Sequence, residues 1–245
     1  MKKRYYYDLH THSCLSPCGD GDNTPNNILG MASLCEIDIV ALTDHNTCKN
    51  CPAFFAAAER YGITPIAGME LTTSEDIHVV CLFENLADAM AFDSFISEHR
   101  ILIKNRPEFF GEQLILDEED NLIGCEDNLL TNATSISVDD VPSHVRAFGG
   151  VSYPAHIDKD SNSITAVLGA IPPDSEFLFY ELHDRKNADS CAEKYGLKKE
   201  SFIVSSDAHC LTDMRDKENC FLLDAEDEPS RVRQQLFKIL RGESL

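Results

Sequence analysis

Two imidazoles one residue apart, His10 and His12, close the stretch YYYDLHTHSC. In an extended strand residues i and i+2 point to one side, so both rings aim at one place. A surface pair and a hydrogen-bonded core pair are the plain readings. A metal site is the chemical one, because histidine is the commonest metal ligand. The rest of the chain repeats the pattern. Asp44 and His45 close TDH, Glu70 closes GME, His78 follows in IHVV, His156 closes PAH, His183 closes ELH, and Asp207 and His209 close SDAH. Of nine histidines, only His99 and His144 fall elsewhere.

These groups need elements that carry them to one place. Seven apolar, strand-like stretches end at or near them: residues 5–10, 37–45, 63–71, 77–83, 149–156, 177–183 and 202–209. Helix-like stretches intervene. One opens at TPNNILGMASLCE, where Thr24 suits the N-cap and Pro25 the first helical position. CPAFFAAAERYG follows with Gly62 past its end, then LADAMAFDSFISEHRILI, VDDVPSHVRAFGG, SNSITAVLGA and NADSCAEKYG. The last, EPSRVRQQLFKILRG, has helical apolar spacing at Val232, Leu236, Ile239 and Leu240. Alternating strands and helices predict βαβ units, a parallel sheet and an α/β barrel, with a doubly wound open sheet as the alternative. Active sites of such folds form at the carboxyl ends of the strands, where the histidines and carboxylates fall. Residues 105–140 fit neither element well and read as an insertion with a small hairpin around EEDN. The expectation is one domain, residues 1–245.

Imidazole mixed with carboxylate suits Zn, Mn or Fe rather than a thiolate-bound ion. About eight donors exceed what one tetrahedral ion takes, so the set predicts two or three divalent ions. Closely spaced ions activate water and clamp a phosphoryl group. The sequence has neither a G-x-S-x-G elbow nor a phosphate-binding G-x-x-x-x-G-K-[ST] loop. Water is therefore the expected nucleophile.

Composition sets the outer bounds. The chain is 43% hydrophobic over 245 residues, which suits a sizeable core. No apolar run approaches a membrane span, and the basic start MKKRYYYDLH lacks an apolar stretch behind it, so the expected location is the cytoplasm. A net charge of −21 argues against a surface that tracks long duplex nucleic acid. The expected partner is a small phosphorylated substrate or nucleotide, with no membrane. The sequence carries no signal for a particular oligomeric state. Of ten cysteines, Cys14/Cys18 and Cys48/Cys51 form close pairs. Reduced thiols are the expectation, with a redox pair or a joint thiolate site as alternatives.

DLHTHS, TDHN, GME, a lone histidine, PAH and SDAH, in that order over residues 7–210, resemble the PHP (polymerase and histidinol phosphatase) superfamily of metal-dependent phosphoesterases. The resemblance implies a distorted (β/α)7 TIM-like barrel with a di- or trinuclear centre, and hydrolysis of phosphate esters. It implies that His10 and His12 bind one ion and that Glu70 bridges. His78 and His156 then hold a further ion with Glu70, His45 is a ligand, and Asp207 and His209 serve one ion each. Glu70, Asp207 and His209 stand nearest the reaction. Asp44 is expected to orient a ligand or the loop. Where many members read S-D-G, this chain reads SPCGDGDNTP. Aligning on Thr24-Pro25 makes Asp20 the ligand, with Asp22 the alternative. FYELHDRKN matches a family strand that often carries Glu, here Glu181. His183 and Arg185 on its loop are expected to bind substrate, with a solvated turn as the alternative. A protein-tyrosine or histidinol phosphatase and an amidohydrolase-type C–N hydrolase are the rival activities.

Overall fold

The computed structural model describes residues 2–243. In chain order the elements are β1 (Lys3–Thr11), α1 (Pro25–Leu34), β2 (Ile39–Leu42), α2 (Cys51–Ala58), β3 (Thr64–Thr72), β4 (His78–Phe83) and α3 (Leu86–His99). The insertion holds α4 (Pro107–Phe110), β5 (Leu114–Leu116) and β6 (Leu122–Cys125). Then come α5 (Val141–Ala147), β7 (Val151–Pro154), α6 (Ile164–Leu168), β8 (Tyr180–Leu182), α7 (Ala188–Tyr195), β9 (Phe202–Val204), β10 (Cys220–Leu223) and α8 (Pro229–Leu240).

Local chemistry sets several of these boundaries. Thr24 caps α1 by accepting from the Asn27 N–H at 3.2 Å, with Pro25 at the first helical position. Ser163 caps α6 in the same way. Helix α3 stops at His99, short of the expected end, because Arg100 turns extended and bridges to Thr134. The expected hairpin is β5–β6, turning through Glu118–Asn121. In α8 the buried face is Val232, Leu236, Phe237 and Leu240, so Phe237 takes the place expected for Ile239.

The main sheet runs β10-β1-β2-β3-β4-β7, and β8 pairs with β9. Strands β1, β2 and β3 are parallel, as expected, but β4 is antiparallel to both β3 and β7. The reason is connection length. Residues 73–77 turn the chain from β3 to β4, and a parallel return needs a dozen or more residues. Strand β10, antiparallel to β1, was not foreseen. The β8–β9 pair reaches from β7 to β1: the Ile157 N–H donates to Glu181 at 2.8 Å, and Thr11 bridges in parallel to Ala208. The result is a mixed α/β fold with a curled sheet.

Two cores flank the sheet. One lies under α1, α2, α3 and α5, and includes Leu29, Phe54, Phe92 and Val141. The other fills the concave side, where Tyr5, Tyr7, Ile39, Ile66, Val80 and Tyr153 meet the buried face of α8. Among the described residues no helix is long and apolar enough to cross a membrane.

Candidate metal centre

The concave core ends in a polar layer. On β3, Glu70 shares the face of Ile66, and on β4 His78 shares the face of Val80 and Leu82. The reversal of β4 explains why His78 begins its strand while the other donors end theirs: the start of β4 lies beside the end of β3, Thr72 opposite His78. On β1, simple alternation from Tyr5 and Tyr7 would send His10 and His12 to the other face. A register shift between Asp8 and Thr11 sets Leu9 and His10 against the single residue Ala41 and restores the inward direction. His156 and Asp207 sit just past β7 and β9 with φ of 30° and 54°. Left-handed backbone at non-glycine residues is strained, and it concentrates at functional sites.

The side chains converge closely. One donor atom each from His10, His12, Glu70 and Asp207 lies within 4.8 Å of the others; His12, His45 and His209 form a second such group, and His45, Glu70 and His78 a third. His156 Nε2 stands 3.0 Å from Glu70 Oε1, and His78 Nδ1 stands 2.9 Å from the same oxygen. Glu70 thus faces five imidazoles, those of His10, His12, His45, His78 and His156. No cysteine joins these groups among the described residues, which excludes a joint thiolate site there.

The donors fit metal ions. His10 and His12 point Nε2 at Nε2 across 3.1 Å, so both rings present the same donor atom to one point. The buried His45 Nδ1 and Asp207 Oδ1 have no hydrogen-bond partner, although burial makes an unpaired polar atom costly. The opposite ring nitrogens are fixed from behind. His10 Nδ1 donates to Glu181 at 2.8 Å, and His209 Nδ1 donates to the Asp207 carbonyl at 2.9 Å. The Ser16 hydroxyl donates to Asp44 at 2.7 Å and so accepts from His12 Nδ1 at 3.0 Å. In all three rings Nε2 is left to face the cluster.

Burial and charge set the protonation. Burial pulls the His10 and His12 rings toward neutrality, but neighbouring carboxylates outweigh it: His10 rises well above the usual histidine range and His12 rises to about 9. Burial prevails at His45, pushed well down, and at His209, pushed down to about 4. Burial alone would raise Glu70 and Asp207, yet the surrounding histidines hold both below the usual carboxylate range. Two carboxylates and the imidazoles around them thus set one another's charge, each carboxylate being held ionised by its histidine neighbours.

The remaining expected residues fall around this centre. The Asp20 carboxylate is exposed and accepts from the Asp22 N–H at 2.9 Å, so it closes its own loop and lies outside all three groups. Its backbone N–H donates to the His209 carbonyl, which keeps the loop at the rim. Asp44 is buried and anchors Ser13 and Ser16. His183 and Arg185 lie outside the groups and line a neighbouring cavity of about 460 Å³ with Arg215 and Lys186. Burial, with Lys159 and Arg215 nearby, lowers the His183 pKa.

Sequence reasoning missed Ser16, Lys159 and Arg215. Lys159 Nζ sits 2.5 Å from Asp207 Oδ2, and an Arg215 nitrogen donates to the His183 carbonyl at 2.6 Å. Lys159, three residues after PAH, had a positional signal; Arg215, in a loop without periodicity, had none.

A 5'-3' exoribonuclease of Haemophilus influenzae is 30% identical over 112 residues, covering 44% of this chain and 39% of that protein. The chain spans half or less of the curated relatives it matches. Among solved structures, a putative metal-dependent phosphoesterase from Bifidobacterium adolescentis shares the fold at TM-score 0.56 and 15% identity, over 98% of this chain and 97% of that one. Endonuclease Q, in complex with a 27-mer duplex substrate with an abasic lesion at the active site, shares it at TM-score 0.62 and 15% identity, over 99% of this chain and 57% of that one. That complex overturns the exclusion of long duplex nucleic acid. Net charge averages the whole surface, whereas cations bound in a pocket reverse the field locally. The sequence pattern of the PHP domain matches residues 8–136, over half the chain, and takes in the end of β1 and all of β2, β3 and β4 with their donors. This chain belongs to the PHP domain family.

Proposed function

We propose that this chain is a metal-dependent phosphoesterase that hydrolyses a phosphate ester at a nucleotide or at a nucleic-acid end, using water as nucleophile. The observation that carries the reading is the convergence of six imidazoles on the buried carboxylates Glu70 and Asp207. His10, His12, Glu70 and Asp207 would hold one ion. Glu70 with His78 and His156 would hold a second, and His45 with His209 a third, each Zn, Mn or Fe. Bound there, such ions lower the pKa of water and draw charge from phosphoryl oxygens. The residues of the chain supply the rest. Glu181 and the Asp44–Ser16 pair fix the rings of His10 and His12. Lys159, beside Asp207, neutralises charge on the phosphoryl group, and His183, Arg185 and Arg215 bind the flanking part of the substrate. The nucleic-acid class is supported by the exoribonuclease relative and by the duplex seen with endonuclease Q. The chain is read as one domain. Its strands β1, β2, β3, β4, β7, β8 and β9 form the distorted seven-membered ring, a count supported by the contacts from β8 to β7 and from β9 to β1.

The test pairs metal content with turnover of nucleoside monophosphates, bisphosphates, oligonucleotides and p-nitrophenyl phosphate under Mn, Zn and Fe. Two or three ions per chain with phosphate release are expected. Glu70→Ala should lose the bridging oxygens and about a hundredfold or more in rate while staying folded. A variant with normal metal content and normal rates would overturn the reading.

A further inference from the structure

We propose that the insertion carries a nucleobase-stacking platform beside the centre, made by Phe109 and Phe110 with Arg106; the assignment rests on the nucleic-acid reading above. Phe109 is 70% exposed and Phe110 41%. Aromatic rings this open forgo the burial that usually holds them in place. Here a cation holds them instead. The Arg106 guanidinium carbon stands 4.7 Å from the Phe109 ring centre and 5.9 Å from that of Phe110.

The platform is mounted on the loop that serves the first ligands. Helix α4 starts at Pro107 and stops at Gly111, whose φ is +83°. A Cβ on Gly111 would stand 2.9 Å from the Pro17 carbonyl oxygen, so the backbone abuts that loop directly. Pro17 follows Ser16, whose hydroxyl holds His12. The Leu114 N–H donates to the Cys14 carbonyl at 3.1 Å, and the Asn105 side chain donates to the Gly111 carbonyl at 3.0 Å. Rings and metal ligands therefore share one support.

The local charge selects the occupant. Glu108 and Glu112 are exposed on either side of the rings and repel a phosphate backbone. Two π-faces with one cation take a base, and stacking tolerates any sequence. The base belongs to a single strand whose end lies at the metal centre.

The experiment uses the whole chain and a 5'-phosphorylated single-stranded hexanucleotide carrying 2-aminopurine. Binding is read by anisotropy on the metal-loaded protein with the oligonucleotide made non-hydrolysable by phosphorothioate linkages, and stacking by fluorescence quenching. Phe109→Ala/Phe110→Ala should raise the Kd roughly tenfold or more and abolish the quenching. Phe109→Leu/Phe110→Leu, which keeps apolar bulk, should lose the quenching as well. Turnover of p-nitrophenyl phosphate by the metal-loaded protein should not change. An unchanged Kd with unchanged quenching overturns the platform, as does a wild-type chain that does not bind the oligonucleotide. A change of oligomeric state at constant Kd would assign the rings to a protein contact instead. If the loaded wild type turns over no phosphate ester while stacking persists, the catalytic reading fails and the platform stands.

Discussion

Glu181 shows how much of the centre depends on a residue outside the donor groups. One oxygen accepts from His10 Nδ1 at 2.8 Å and from the His156 N–H at 3.0 Å, so it aligns two donors that are 146 residues apart in sequence. Glu181→Gln keeps the shape and removes the charge. It is expected to weaken metal binding by about 10- to 100-fold, measured by chelator competition, with the fold retained. Unchanged affinity would remove Glu181 from this role. The convergence of these side chains was legible because their types are rare and recur at strand ends. Ser16 and Lys159 were not, because a hydroxyl and an ammonium have many ordinary uses. Asp20 failed to reach the donor groups for a local reason: its carboxylate is satisfied two residues on, by the Asp22 N–H.

Among the elements, β3 and the insertion bear the most directly on the site. Gly68 lies two residues before Glu70, and a Cβ there would stand 2.4 Å from the Cys81 carbonyl oxygen. Gly68→Ala must part β3 from β4, and is expected to cost about 2–4 kcal/mol by chemical denaturation and to weaken metal binding. A neutral Gly68→Ala would show that the strands yield freely. The insertion is tied down by Glu126, which pairs with Lys49 and with Arg100. Burial alone would raise the Glu126 pKa, but Lys49 and Arg100 hold it down at about 2, from a usual 4.5. The lowered value means that this stabilisation is complete above about pH 4.5 and fades as the pH falls toward 2. Wild type should exceed Glu126→Gln by on the order of 2 kcal/mol near neutral pH, with the gap closing in acid. Melts that keep a constant gap from pH 6 to pH 3 would sink the assignment. Element types were largely readable from apolar periodicity and caps. Strand direction was missed: periodicity carries no orientation, and the signal for β4 lay instead in the short connection at residues 73–77, while the late strand β10 had none.

At the scale of the whole molecule, the chemistry and the closure of the fold lie at opposite ends of the concave core. Leu236 on α8 is fully buried against that core, away from the histidines. Leu236→Ala is expected to cost about 3 kcal/mol in unfolding free energy. Metal stoichiometry at saturation should stay unchanged, and a loss of ions would show that the two ends are coupled. Net charge was the least reliable guide, because an acidic average is silent about one pocket. The direction of β4 has a further consequence, in time. Glu70 and His78 face each other across one tight hairpin, and such hairpins form in roughly 1–10 μs. His10 and Asp207 meet only after nearly the whole chain has been threaded, and distant pairings of that kind are slow. The centre is thus expected to assemble in two stages, a local half first and a long-range half last, which metal uptake followed during refolding would check. Full affinity for ions becomes a late marker of folding, held back until the C-terminal strands have docked.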